Sequence, residues 1–416
     1  MRPPRTISIV GGGHAAAQVV ASLREEGYDG RLVLFNAEPQ LPYHRPPLSK
    51  DFLKSAEPQL KLIRSQAFYQ TAGVDLAIGR SVTAIDAGAR RLVLAGGTSH
   101  SFDAVVLCTG ARPRRPALEG THLRGVMSLR NAEDALGIRS RIAAGSSVVI
   151  LGGGFIGLEI SAVLSELGLS VTIVEAADRV LAPAVAPEIG RFLEHLQRSW
   201  GVDIRLNSGA NRLLGSDAVE AVELADGEIL PAEMVIVAAG CDPNVDLAVA
   251  AGLACADGVL VDRSMRTSRL GILAAGDCVR GPRAGIADPI RLGSVQSAME
   301  QARIAARTVV AKATPDQAVP WFWSDQRGTK LLMAGLAAGA TREVVRGNVE
   351  EGRFSVFLFK DEHLAAIHSV NAASDHMAAR RALAANLLIT PDQVRDPAFD
   401  LQAWSQGDRD GGRSIQ

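Results

Sequence analysis

Several stretches of this chain are apolar at nearly every position and are then cut off by glycine. Residues 6–10 (TISIV), 103–107 (DAVVL), 148–151 (VVIL) and 271–275 (GILAA) are of this kind. A run that is apolar throughout, rather than at alternate positions, predicts a strand buried on both faces, as in a parallel sheet. Two of these runs lead through glycine turns into segments with helical spacing, GLEISAVLSELG being the clearest, and then into new strands, RLVLF and SVTIV. Repetition of strand, turn, helix and strand predicts an α/β fold with parallel sheets. Beyond residue 318 the pattern changes to the strand-like GRFSVFLFK and LAAIHSV, helices around DHMAARRALAANL, and a polar tail, QGDRDGGRSIQ, expected to be disordered. Earlier in the chain, PYHRPPLSK (residues 42–50) places two prolines between Arg45 and Lys50. Proline fixes φ and suits the first turn of a helix, so this stretch predicts a stiff loop entering a helix near LSKDFL. Its cations are either solvated or held for a ligand.

The two glycine turns carry the first chemistry. In TISIVGGGHAA, Gly11, Gly13 and Ala16 fill the positions of G-x-G-x-x-G/A, and in VVILGGGFIG they are filled by Gly152, Gly154 and Gly157. The first position allows a tight turn, the second lets backbone approach a pyrophosphate, and the third needs a small side chain for helix packing. A helix starting there directs its amides and dipole at phosphate. A single such turn also occurs for packing alone, but here each has a sequel. The strand SVTIVE ends at Glu175, 18 residues beyond Gly157, where a carboxylate binds ribose hydroxyls and repels a 2′-phosphate. Ala176 and Ala177 offer no cation to that phosphate, so NADH is favoured over NADPH. The first turn leads to Asn36-Ala37-Glu38, where the acidic residue comes a position or two late and its ribose contact stays open. Two dinucleotide turns imply two dinucleotides, and the usual pairing for hydride transfer is NAD with FAD. In GILAAGDC, Asp277 either accepts a hydrogen bond from a ribityl hydroxyl or caps a turn, and a helix from about Arg291 presents its N-terminus to the flavin. Thr109-Gly110 suits a chain crossover between domains.

Composition narrows the class. A chain of 416 residues with 47% hydrophobic and 21% charged residues predicts two or three globular domains. A net charge of −1 gives no reason to expect nucleic acid or an anionic membrane as partner. Cys108, Cys241, Cys255 and Cys278 form no CxxC pair, which argues against a zinc ribbon or dithiol, and Cys108 in DAVVLCTG reads as a buried small hydrophobe. No metal site is expected. MRPPRTISIV lacks the apolar core of a signal peptide, and no run is long enough to cross a bilayer. The expectation is a cytoplasmic enzyme.

With IVGGGHAAAQ, LPYHRPPLSK, LCTGARPR, LRNAEDA, ILGGGFIGLE, LAAGDC and VPWFWSDQ in this order, the chain resembles the FAD-dependent, NADH-oxidising ferredoxin reductases of bacterial oxygenase systems, of the putidaredoxin reductase and aromatic-ring dioxygenase reductase type. The resemblance implies a glutathione-reductase-like fold: two Rossmann-like dinucleotide-binding domains plus a small C-terminal α/β domain. It implies an FAD domain at 1–113 and 243–317, an NAD domain at 114–242 and an interface domain at 318–416. It places FAD contacts on Gly11, Gly13, Ala15, Ala37, Arg45, Lys50, Val82, Arg130, Asp277, Val295 and Trp323, and NAD contacts on Gly152, Gly154, Ile156, Gly157, Glu159, Glu175 and Gly240. Arg45 is implied near the FAD phosphates. Lys50 and Glu159 are implied as the catalytic pair beside the reactive edge of the flavin, where a cation stabilises the reduced ring; the other reading is a structural ion pair. Two departures stand out. Gly293 replaces a glutamate common in relatives, and VAAGCDPN replaces their usual exit from the NAD domain while keeping Gly240.

The electron acceptor implied is an acidic [2Fe–2S] ferredoxin. Trp321 and Trp323 flank the expected flavin edge or belong to the core, and Arg303, Arg307, Lys312, Arg327 and Lys330 form either a basic rim for that partner or a solvated face. Thiol-dependent relatives of the same fold need a cysteine near the flavin, where this chain has Arg45 and Lys50. A monodehydroascorbate-reductase-like enzyme and an apoptosis-inducing-factor-like NADH sensor share the remaining motifs and stay as alternatives.

Overall fold

A computed structural model describes residues 4–284 and 286–407, arranged as two compact units. The first takes the described residues up to Arg45, then Gln59–Arg112 and Cys241–Ala318; the second takes Pro46–Pro58, Pro113–Gly240 and the described residues from Val319.

The first unit is built on a five-stranded sheet ordered Ile272–Ala274, Ala104–Leu107, β1 (Thr6–Val10), β2 (Arg31–Asn36) and Val74–Ile78, with every pairing parallel. The all-apolar runs are its central strands. Successive side chains point to opposite faces, and both faces need apolar cover. On one face Ile7, Ile9, Leu32, Leu34 and Val106 pack against Val19 and Leu23 of α1 (His14–Glu25) and against Ala302 and Ala305 of the helix Val295–Val309. On the other, Val33, Phe35, Val105 and Leu107 meet Val82, Ile85 and Leu92 of a small antiparallel sheet, together with Val259 and Val279. The helix expected from about Arg291 starts at Val295, because Ser294 is extended and its Oγ accepts the Ser297 N–H at 3.0 Å as an N-cap.

The second unit repeats the plan. Its parallel sheet is ordered Asp203–Arg205, β4 (Ser170–Val174), β3 (Ser147–Leu151), Met234–Val237 and Val126–Met127. The helix α2 (Phe155–Glu166) joins β3 to β4, and α3 (Pro187–Ser199) follows. The chain from Val319 adds an antiparallel sheet of five strands, starting with β5 (Trp321–Gln326). Arg353–Lys360 and His363–Val370, both expected, lie in its interior, and the helix Ala373–Ala385 covers Phe357, Phe359 and Ile367. The expected tail is partly helical, since Gln406 and Gly407 end the helix Leu401–Gly407; residues 408–416 lie outside the described residues. Two dinucleotide-type parallel sheets with a small α/β addition are the fold expected. Among the described residues no helix is long and apolar enough to cross a membrane.

The proline stretch forms a 3-10 turn at Pro46–Ser49 and a four-residue helix at Asp51–Lys54. Lys50 stands between them, and both belong to the second unit.

Candidate functional site

In the first unit the chain leaves β1 through Gly11 at φ +135, where a Cβ would collide with the Cys108 carbonyl on the neighbouring strand. Only glycine fits. A Cβ on Gly13 would instead meet nothing within 4 Å. Gly13 is the N-cap of α1 and has no side chain to satisfy the first amides, so a cradle stands open at a helix N-terminus. Ala15 is buried in that first turn, and a Cβ on Gly276 would lie 3.1 Å from it. The Gly276 N–H donates to Gln301 Oε1 at 2.7 Å, which holds the Gly276-Asp277 turn between α1 and the helix that opens at Val295. Gly11, Gly13, Ala15, Asp277 and Val295 are therefore gathered by three neighbouring elements. A Cβ on Gly293 would sit 3.9 Å from Asp277 Oδ1, so this departure in sequence lies beside Asp277.

Ala37 is exposed just past β2. Glu38, whose ribose contact stayed open, accepts Tyr43 Oη on one oxygen and the Arg45 guanidinium on the other, both at 2.5 Å. Arg45 is thus paired with Glu38. The Val82 side chain is in the core, leaving only its backbone to face a ligand. His14, the first residue of α1, has Nε2 at 3.2 Å from Nδ1 of His44, a contact that sequence reasoning missed.

In the second unit Gly152 has φ +114, and a Cβ would lie 2.6 Å from the Ala238 carbonyl; one on Gly157 would run into the Gly152 carbonyl. Gly154 repeats Gly13: its Cβ would meet nothing within 4 Å, and it caps α2 without a side-chain bond. Ile156 lies exposed in the first turn of α2. Glu175 reaches back from the end of β4, accepting Gly153 N–H at 2.6 Å and Ala177 N–H at 2.8 Å. It thereby ties the glycine turn to the strand end. Gly240 has φ +90 where the chain leaves the unit. Both glycine turns fit the pyrophosphate of a dinucleotide, because each leaves open the volume that a Cβ would fill and leaves the amides of a 12-residue helix uncapped by side chains.

Glu159 lies one turn into α2 and is only 5% exposed. Its Oε2 receives Lys50 Nζ at 2.6 Å and Ser49 Oγ at 2.5 Å, and its Oε1 receives Ser324 Oγ from β5 at 2.7 Å. The ion pair expected between Lys50 and Glu159 is formed. Both serines lie inside the motifs PPLSK and FWSDQ, where nothing in the local sequence points to a partner for either hydroxyl. A buried carboxylate is costly unless paired and fully hydrogen-bonded, and this one is both. Beside it, Phe155 of α2 packs on Phe322 of β5 at 4.6 Å.

The Arg130 backbone N–H donates to Asp134 Oδ2 at 2.8 Å, just before the helix Ala132–Arg139, which the Asn131/Asp134 capping box opens. Trp323 lies 5.3 Å from Trp321, which Arg380 covers at 4.8 Å. Of the five cations considered as a rim, Arg307 and Lys312 are bound to Glu26, and Arg327 covers the Trp200 ring while donating to the Ala162 carbonyl. Arg303 and Lys330 are exposed. Burial pushes the Cys108 and Cys278 thiols up, so neither is the thiolate that a thiol-dependent reductase needs.

The chain matches the pyridine nucleotide-disulphide oxidoreductase family over residues 5–307 and the reductase C-terminal family over residues 321–405. It is 40% identical to rhodocoxin reductase of Rhodococcus erythropolis over 399 residues, covering 95% of this chain and 93% of that one. The ferredoxin reductase for the CYP199A2 system from Rhodopseudomonas palustris superposes with a TM-score of 0.94 at 40% identity, over 96% of this chain and all of the other. A covalent putidaredoxin reductase–putidaredoxin complex matches with a TM-score of 0.94 at 34% identity, covering 98% and 99%. The chain belongs to the pyridine nucleotide-disulphide oxidoreductase family, in its branch of FAD- and pyridine-nucleotide-dependent ferredoxin reductases that end in a reductase C-terminal domain.

Proposed function

We propose that this protein oxidises NADH and delivers the electrons singly to a [2Fe–2S] ferredoxin that serves an oxygenase. Residues 1–113 and 243–317 hold FAD, 114–242 hold NADH, and 318–416 form the interface domain. The observation that carries the reading is the Lys50–Glu159 pair at 2.6 Å, on the helix that starts at the second glycine turn. When held at these residues, FAD would supply two-electron hydride acceptance and one-electron release, which a one-electron cluster requires.

The chain's own residues orient and stabilise. The open cradles at Gly13 and Gly154 take the two pyrophosphates, and Glu175 favours the unphosphorylated ribose. Lys50, fixed by Glu159, supplies positive charge where negative charge develops on reduction. Asp277, Val295 and Trp323 complete the flavin contacts. For an acidic ferredoxin, Arg303 of the first unit and Lys330 of the second are each exposed, whereas Arg307, Lys312 and Arg327 are committed to other contacts.

Anaerobic rapid mixing tests the reading. FAD-loaded protein mixed with NADH should lose its flavin absorbance quickly and then reduce an oxidised [2Fe–2S] ferredoxin. Lys50→Met should slow the first phase at least tenfold. Bleaching without cluster reduction would move the search to small-molecule acceptors such as monodehydroascorbate.

A further inference from the structure

The Lys50–Glu159 pair leaves one question of geometry open. A lysine on one carboxylate oxygen does not stop the carboxylate from rotating, and Glu159 ends in a bond that turns freely unless both oxygens are held. Both are held here, from two different elements. Ser49, adjacent to Lys50, shares Oε2, and Ser324 alone holds Oε1 in the contacts described. Ser324 is 1% exposed, so no water competes for its hydroxyl.

The strand that presents Ser324 is itself tied to α2, by way of Gln197 on α3. Two residues on, on the same face of β5, Gln326 accepts the Gln197 amide at 2.9 Å. Gln197 also donates to the Leu158 carbonyl and accepts Ser161 Oγ at 2.8 Å, so it clamps α2 on either side of Glu159. The Gln326 Nε2 atom is buried with no partner among the described residues. A buried polar group left unsatisfied costs stability and points to a geometry fixed for another purpose.

Resting on the hydride-transfer reading above, we infer that Ser324 is a positioning residue for that reaction: it locks the Glu159 carboxylate in the rotamer that holds Lys50, with Gln326–Gln197 fixing the register of β5 on α2. Its hydroxyl touches neither cofactor nor substrate in this role. Hydrogen bonds to a charged group are the stronger kind, so its loss should be felt at Lys50.

The test is Ser324→Ala in the FAD-loaded protein, with Ser324→Thr as the conservative rescue. Acetylation of Lys50 by acetic anhydride, followed by peptide mass spectrometry against exposed Lys61, reads the freedom of the amine directly. Ser324→Ala should raise Lys50 acetylation about threefold and Ser324→Thr should return it to the parent value. In rapid mixing, the limiting rate of flavin reduction should fall about tenfold while the NADH dissociation constant stays within twofold. In a Lys50→Met background the serine change should add less than twofold. Unchanged Lys50 acetylation, or a rate loss that multiplies fully with Lys50→Met, would overturn the inference. Should Ser324→Ala fail to fold, Ser324→Cys, which keeps the volume but donates only weakly to Oε1, is read the same way. If NADH does not reduce the parent flavin, the functional reading fails, and the acetylation arm still decides whether Ser324 controls Lys50.

Discussion

Glu175 ties the second glycine turn to its strand end, and in the proposed reading the same side chain selects the nucleotide. Its oxygens accept Gly153 and Ala177 N–H groups, yet a carboxylate has about four acceptor sites, so capacity remains for ribose hydroxyls. Its charge meets a 2′-phosphate with repulsion, and two like charges near a protein surface interact by a few kcal/mol. Glu175→Ala should therefore lower the ratio of kcat/KM for NADH over that for NADPH by at least tenfold, measured by flavin reduction with each nucleotide. An unchanged ratio would remove Glu175 from the selectivity. The place of Glu175 at a strand end, within reach of the glycine turn, was legible from its interval after Gly157, because strand, helix and turn lengths are local properties. Ser324 was not: a serine in a strand says nothing of a partner 165 positions away. The pairing of Arg45 with Glu38 was not legible for the same reason, since it depends on how the loop between them closes.

At the scale of the element, α2 and the turn before it separate two uses of glycine. A Cβ on Gly154 would meet no protein atom, and its φ of −78 suits any residue. Gly154→Ala should leave the melting temperature within about 2 °C, or raise it slightly by restricting the unfolded chain. It should still weaken NADH binding about tenfold or more, because the methyl occupies the phosphate cradle. Gly157→Ala drives a methyl into the Gly152 carbonyl and forces helix and strand apart, at a cost of about 1–3 kcal/mol. Calorimetry paired with nucleotide titration distinguishes them: equal stability losses in the two variants would contradict the division. The strands were readable as continuous apolar runs, and α2 as a periodic one. The start of the helix Val295–Val309 was not, since the step from Arg291 to Val295 turns on the extended backbone of Ser294.

Across the whole molecule, acid sensitivity follows from two buried histidines of the second unit. Burial pulls His368 and His376 down to about 4. His368 Nδ1 accepts the Ala186 N–H at 3.0 Å, so it serves the start of α3 only while that nitrogen is unprotonated. A folded pKa below the unfolded value of about 6.5 means that the unfolded chain binds more protons in between. The stabilisation is complete above pH 6.5 and is lost progressively as pH falls toward 4, by up to about 3 kcal/mol for each histidine. Asp375, pushed up by burial, works in the opposite sense at the acid end of that range. Urea midpoints should therefore drop between pH 7 and 5, and His368→Asn, which keeps an acceptor near Nδ1, should flatten the slope. A flat profile in the parent would contradict this origin. None of it was visible in the sequence, where a histidine in an apolar strand carries no sign of its partner. The seating of Glu159 also has a consequence for synthesis. Lys50 leaves the ribosome early, Glu159 later, and Ser324 only after most of the chain is made. At about 5–20 residues per second, the 165 positions between Glu159 and Ser324 take roughly 8–33 seconds, during which the carboxylate has no grip on its second oxygen. A nascent chain that has already acquired both nucleotide cradles still lacks a locked lysine, so full electron-transfer competence arrives only once β5 has been translated.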